Sequence, residues 1–134
     1  MTDSTRPSGV RRLPTNAWFV VDLLLVVVFV LIGRRSHDES NALIGVLTTL
    51  WPFAVGLVVG WATVLGVRWR ATALASGAVV WVSTVVLGML LRVVSGQGVQ
   101  VSFVIVATIV LGVFLLGSRL VGALVTRRRR GAGR

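Results

Sequence analysis

The sequence predicts an all-α integral membrane four-helix bundle whose neighbouring spans run antiparallel. Three observations carry this reading. Four apolar stretches, each about the ~20 residues that a helix needs to cross a bilayer, are separated by short polar breaks. The chain is 55% hydrophobic and 13% charged over 134 residues, more apolar surface than a soluble domain of this size can hide. The alternation of a membrane β-barrel is missing, which leaves helices as the spanning form. By length the chain is one domain. It divides into a basic tail over 1–16, a four-span region over 17–125 and an Arg-rich tail over 126–134.

The first span, 17–33, reads AWFVVDLLLVVVFVLIG and contains one carboxylate, Asp22. Arg11 and Arg12 ahead of it resemble the start of a signal peptide. However, the GRRSHDES that follows offers no small-x-small cleavage site, and an acid is foreign to a signal core, so the segment is expected to stay as a span. A charge in a span costs about 2.5–3.5 kcal/mol on insertion scales and usually faces the protein interior beside a partner. Asp22 lies about five residues, or roughly 8 Å, inside one end of span one. Arg119 lies at a similar depth in span four, in the same leaflet. Pairing of Asp22 with Arg119 is the simplest way to keep both ionised. The alternative is a protonatable Asp22 that binds a proton or cation during transport.

The loop after span one, GRRSHDESN, forms a candidate polar cluster with Arg34, His37, Asp38, Glu39 and, from the end of span three, Arg92. Ser36, His37 and Asp38 are triad residue types, but three consecutive residues cannot build the relay among themselves. His37, Asp38 and Glu39 are metal-ligand types, yet contiguous ligands in one short loop rarely close a site. Ser36 and Glu39 have capping-box spacing, and Ser40 or Asn41 could instead cap span two. Arg92 is a candidate partner for Asp38 or Glu39. His37 could make this face pH-sensitive.

Span two, 42–67, carries Gly45, Thr49, Pro52, Gly56, Gly60 and Thr63 within about 80° of one another on a 3.6-residue helix. Gly56 and Gly60 form a GxxxG pair, which lets two backbones approach closely in lipid. Pro52 removes a backbone hydrogen bond and is expected to kink the helix, with Thr48 partly compensating. Span three, 72–91, continues the small-residue pattern with Gly77, Thr84 and Gly88, and span four, 101–125, does so with Thr108 and Gly112. These stripes are expected to pack helices inside one bundle, with a homodimer through span two as the open alternative. SGQG, 95–98, reads as a tight turn between spans three and four.

Arginine counting sets the orientation. Arg6, Arg11, Arg12, Arg68, Arg70, Arg127, Arg128, Arg129, Arg130 and Arg134 fall on one side of a four-span chain, against Arg34, Arg35 and Arg92 on the other. This ten-to-three asymmetry places both termini in the cytoplasm of a cell (plasma) membrane. The net charge of +10 then reads as topology and as attraction of the Arg-rich tails to anionic lipid headgroups, not as nucleic-acid binding. Fourteen arginines without a lysine suggest a GC-rich bacterial genome. With no cysteine there is no disulfide framework, thiolate nucleophile or cysteine metal site. No motif asks for a cofactor or supplies an activated nucleophile, a paired-carboxylate site or a phosphate loop, so no enzyme is expected.

Several of these segments together carry a resemblance. The early acid of span one, IGRRSH, WPF, VVLGMLLRVVSGQG and SFVIVAT resemble a prokaryotic family of small membrane proteins, domain of unknown function 3054. The resemblance runs from Val21 to Arg119. It implies a four-helix membrane protein and no activity. Where the family pattern places a Trp-Arg pair late in span four, this chain has Ser118-Arg119, so no aromatic role is read there. Two functions stay open: an accessory or scaffolding membrane component, and a small oligomeric proton- or cation-coupled transporter or channel using Asp22.

Overall fold

The computed structural model describes residues 13–34 and 41–133. They form four helices: α1 Thr15–Gly33, α2 Ala42–Gly66, α3 Leu74–Val94 and α4 Val101–Gly131. Each is long and apolar enough to cross a membrane. The chain is therefore an all-α, multi-pass membrane bundle. Short connections make sequential helices antiparallel, so residues 13 and 133 lie at one end of the bundle, the terminal end, and the α3–α4 turn at the other.

The helices form a ring in which α2 and α3 share the most extensive seam, followed by α3–α4, α1–α2 and α1–α4. The diagonal pairs do not approach at the backbone; large side chains fill the space between them. Each helix buries a narrow stripe at three- and four-residue spacing. In α1 it is Trp18, Asp22, Val26, Phe29 and Val30, and in α4 Ala107, Leu111, Gly112, Leu115 and Arg119. The remaining faces display Val, Leu and Ile outward, as a surface solvated by acyl chains requires.

Two helices, α3 and α4, depart most from the expected spans. The α3 helix begins at Leu74 and runs on to Val94. The α4 helix is 31 residues long, roughly 46 Å, and carries Arg127–Arg130 as part of the helix instead of as a tail. The bilayer core is about 30 Å thick, so the last turns of α4 project beyond it. Four consecutive arginines at about 100° per residue point all round the helix axis, giving a collar and not a face.

The ends of α2 and α3 share one closing device. Arg68 N–H and Trp69 N–H bond to the carbonyls of Leu65 and Val64, and Gly96 N–H and Gln97 N–H to those of Val93 and Arg92. Both are the paired bonds of a Schellman cap, which needs a left-handed residue after the helix. At the second cap that residue is Gly96, with φ 74°; at the first it is Arg68, with φ 58°.

The α2 helix runs unbroken through buried Pro52. The expected compensation by Thr48 does not occur: its hydroxyl donates to the Ile44 carbonyl, not to its own, which Pro52 leaves free. Gly56 and Gly60 face α3 so closely that an added Cβ would meet the Thr84 Cα at 2.9 Å and the Val80 Cα at 2.9 Å. Ser83 Oγ adds a 2.8 Å bond to the Gly56 carbonyl across the seam. Within the chain this face is occupied by α3, as expected of packing inside one bundle. Thr63, expected on the same face, is exposed, and its hydroxyl bonds to the Val59 carbonyl.

Candidate functional site

The candidate site lies in the terminal half of the bundle, where α1 and α4 meet. Asp22 is completely buried and Arg119 is 1% exposed. The guanidinium grips the carboxylate with two parallel bonds, Nη1 to Oδ1 and Nη2 to Oδ2, the latter at 2.7 Å. A bidentate fork of this kind is the strong form of the Arg–carboxylate pair. From α2, Trp61 Nε1 donates to Asp22 Oδ2 at 2.9 Å, so the carboxylate accepts three bonds from two other helices.

Aromatic rings wall the pair from lipid. The guanidinium carbon lies 5.4 Å from the Trp18 ring and 5.7 Å from the Trp61 ring, both within cation–π range. Phe19 meets Trp61 edge-on at 5.9 Å. Arg119 Nη1 also reaches Ser118 Oγ at 3.2 Å and the Leu115 carbonyl at 3.4 Å. The stem of the arginine needs room, and Gly77 of α3 supplies it: a Cβ there would sit 3.1 Å from Arg119 Cδ. Gly122 seats the Trp18 ring in the same way. All four helices thus converge on one ion pair. Asp22 is the only acidic side chain among the described residues.

At the opposite end, Phe29, Phe53 and Phe103 form a cluster with centroids 5.5–6.3 Å apart. Arg92 lies over Phe103 at 4.8 Å and donates to Gln97 Oε1 at 3.0 Å and to the Gly98 carbonyl. The SGQG turn therefore does more than reverse the chain, since Gln97 holds the arginine that ends α3. Arg34 rests on Gly45 and donates to Thr49 Oγ1 at 3.3 Å. Their expected companions His37, Asp38 and Glu39 lie outside the described residues.

Two further glycines of the small-residue stripes are seats for large side chains. Gly88 lies under Phe53, and Gly112 lies under Trp81, whose Nε1 donates to the Thr108 carbonyl at 3.0 Å. Thr84 is buried with its hydroxyl on the Val80 carbonyl, and Thr108 bonds likewise to Val104. Sequence reasoning missed Trp18, Trp61 and Gly122. Trp61 had a signal: it sits at the depth of Asp22, and a buried indole N–H needs an acceptor.

Fold and site together define a class, a four-span helical membrane protein whose first and last helices are clasped by a buried ion pair. A family model described as "Protein of unknown function (DUF3054)" matches residues 19–122, and the chain belongs to that family. Comparison with curated proteins and with solved structures finds no match.

Proposed function

We propose that the protein is an accessory or scaffolding component of a bacterial inner membrane, with both termini in the cytoplasm, and not an enzyme. The saturation of Asp22 carries this reading. A carboxylate that serves transport must exchange its partners for a proton or cation during the cycle. Here all three of its bonds come from side chains fixed on α2 and α4, and the rings of Trp18 and Trp61 flank the pair. Such a carboxylate ties helices together. Parts available to partners are the helical Arg127–Arg130 collar, suited to anionic headgroups, and the outward faces of the bundle, one of which could seat a second copy.

Reconstitution in liposomes tests the reading. Purified protein is compared with Asp22→Asn in proton and cation flux assays across a pH gradient. The scaffold reading expects no flux above empty liposomes from either protein. A pH-dependent flux that Asp22→Asn abolishes, with helicity unchanged, would replace it with proton- or cation-coupled transport.

A further inference from the structure

The turn between α2 and α3 and the flank of α3 beneath it have no part in the clasp. The turn places Arg68, Trp69 and Arg70 in sequence, all exposed, at the terminal end of the bundle. Its backbone is held firmly. The Schellman bonds close α2, and the Arg70 carbonyl accepts both the Ser76 hydroxyl at 2.7 Å and the Ala73 N–H at 2.9 Å. Ser76 is completely buried, so the turn is anchored from inside the bundle. Arg68 sustains a left-handed conformation that glycine would adopt without strain. An arginine kept in that place, next to a second arginine and an interfacial tryptophan, points to a use for its charge.

Below the turn an open apolar groove of about 420 Å³ runs along α3, lined by Ala78, Val79, Val82, Ser83, Val86 and Leu87. Ser83 binds the Gly56 carbonyl, so at Ser83 the groove borders the α2–α3 seam that the turn caps. Its upper end begins about four residues, or roughly 6 Å, into α3, and its length is that of about nine residues, roughly 13 Å. We infer that this is a binding site for one phospholipid with an anionic headgroup. The phosphodiester sits between Arg68 and Arg70, Trp69 lies at the glycerol level, and an acyl chain occupies the groove. Charge complementarity selects the occupant: two guanidiniums favour a phosphate that carries no compensating ammonium, and guanidinium suits phosphate geometry. An aliphatic chain suits a groove lined by Val, Leu and Ala. The site differs from the α4 collar, whose arginines point all round a helix and define no pocket.

Native mass spectrometry of the full chain in detergent tests the inference, with titration by dioleoyl phosphatidylglycerol or dioleoyl phosphatidylcholine. One phosphatidylglycerol should bind saturably above the phosphatidylcholine background. Arg68→Gly/Arg70→Gln, in which glycine suits the left-handed position and protects folding, should weaken that binding about thirtyfold, about fivefold per arginine. Val82→Trp, at a half-exposed position on the groove wall, should weaken it through the chain while leaving both arginines in place. Arg128→Gln/Arg129→Gln should leave it unchanged. Equal binding of the two lipids, or binding that survives Arg68→Gly/Arg70→Gln and is lost in the α4 variant, would overturn the site.

Discussion

Asp22 and Arg119 are 97 residues apart, yet they form the most specific contact in the bundle. Removing one partner of a buried pair strands the other charge, which costs about 3–5 kcal/mol, whereas removing both leaves polar neutral groups that can still bond to each other. Asp22→Asn and Arg119→Gln are therefore each expected to lower the melting temperature in detergent sharply. The double variant should fall short of their sum by 1 kcal/mol or more, since pairs in contact are not additive. Strict additivity would mean that the two side chains do not interact. Trp61→Phe keeps the ring but deletes the N–H to Oδ2, and should cost about 1–2 kcal/mol, less than losing either ion. The pair was legible in the sequence, because sign, depth and the price of a lone charge in lipid are all one-dimensional information. The aromatic wall was not. Trp18 faces the arginine only because α1 turns its 18-22-26 stripe inward, and no single residue announces that rotation.

Helices in lipid gain little from hydrophobic burial against one another, so the elements here fit by shape. The shape is a set of seats. Gly56 and Gly60 bring the α2 and α3 backbones together, and Gly77, Gly88, Gly112 and Gly122 each hold a large side chain from a neighbour. Gly56→Leu and Gly60→Leu are expected to force α2 from α3, since an added Cβ meets backbone that cannot rotate aside. Each should cost about 2–4 kcal/mol or prevent folding, in line with severe overpacking. Val58→Leu, half-exposed on the lipid face, should change melting by less than about 0.5 kcal/mol. Similar melting of all three variants would show that the seam bears no packing load. Small-residue stripes were visible in the sequence, but not whether they pack inside one chain or between two. That depends on the crossing of α2 over α3, which the short turn at 67–73 and the Ser83–Gly56 bond bring about. Span ends also escaped the hydropathy profile. Arg127–Arg130 end the apolar run but not the helix, because arginine is a good helix former.

For the molecule as a whole, the bilayer simplifies the problem: backbone groups must bond within each segment, so span number and helical fold follow from hydropathy. The proposed orientation rests on charge. The six described arginines of the terminal end outside the lipid-spanning core, Arg68, Arg70 and Arg127–Arg130, already outnumber Arg34 and Arg92 at the other end. With the tail arginines the asymmetry is ten to three. Positive charge is held in the cytoplasm, so the terminal end is expected to face inward. The chain has no cysteine, which makes single-cysteine labelling free of background. Ser95→Cys, exposed in the α3–α4 turn, should react with a membrane-impermeant maleimide on intact cells. Ala132→Cys, exposed beyond the arginine collar, should react only after permeabilisation. The reverse pattern would invert the protein and move the Arg68–Arg70 turn to the outer leaflet. Replacing Arg127–Arg130 with glutamine tests the cause: if charge sets the topology, part of the population should then label at Ala132→Cys in intact cells, while the Asp22–Arg119 clasp, buried in either orientation, should keep the melting temperature close to that of the parent.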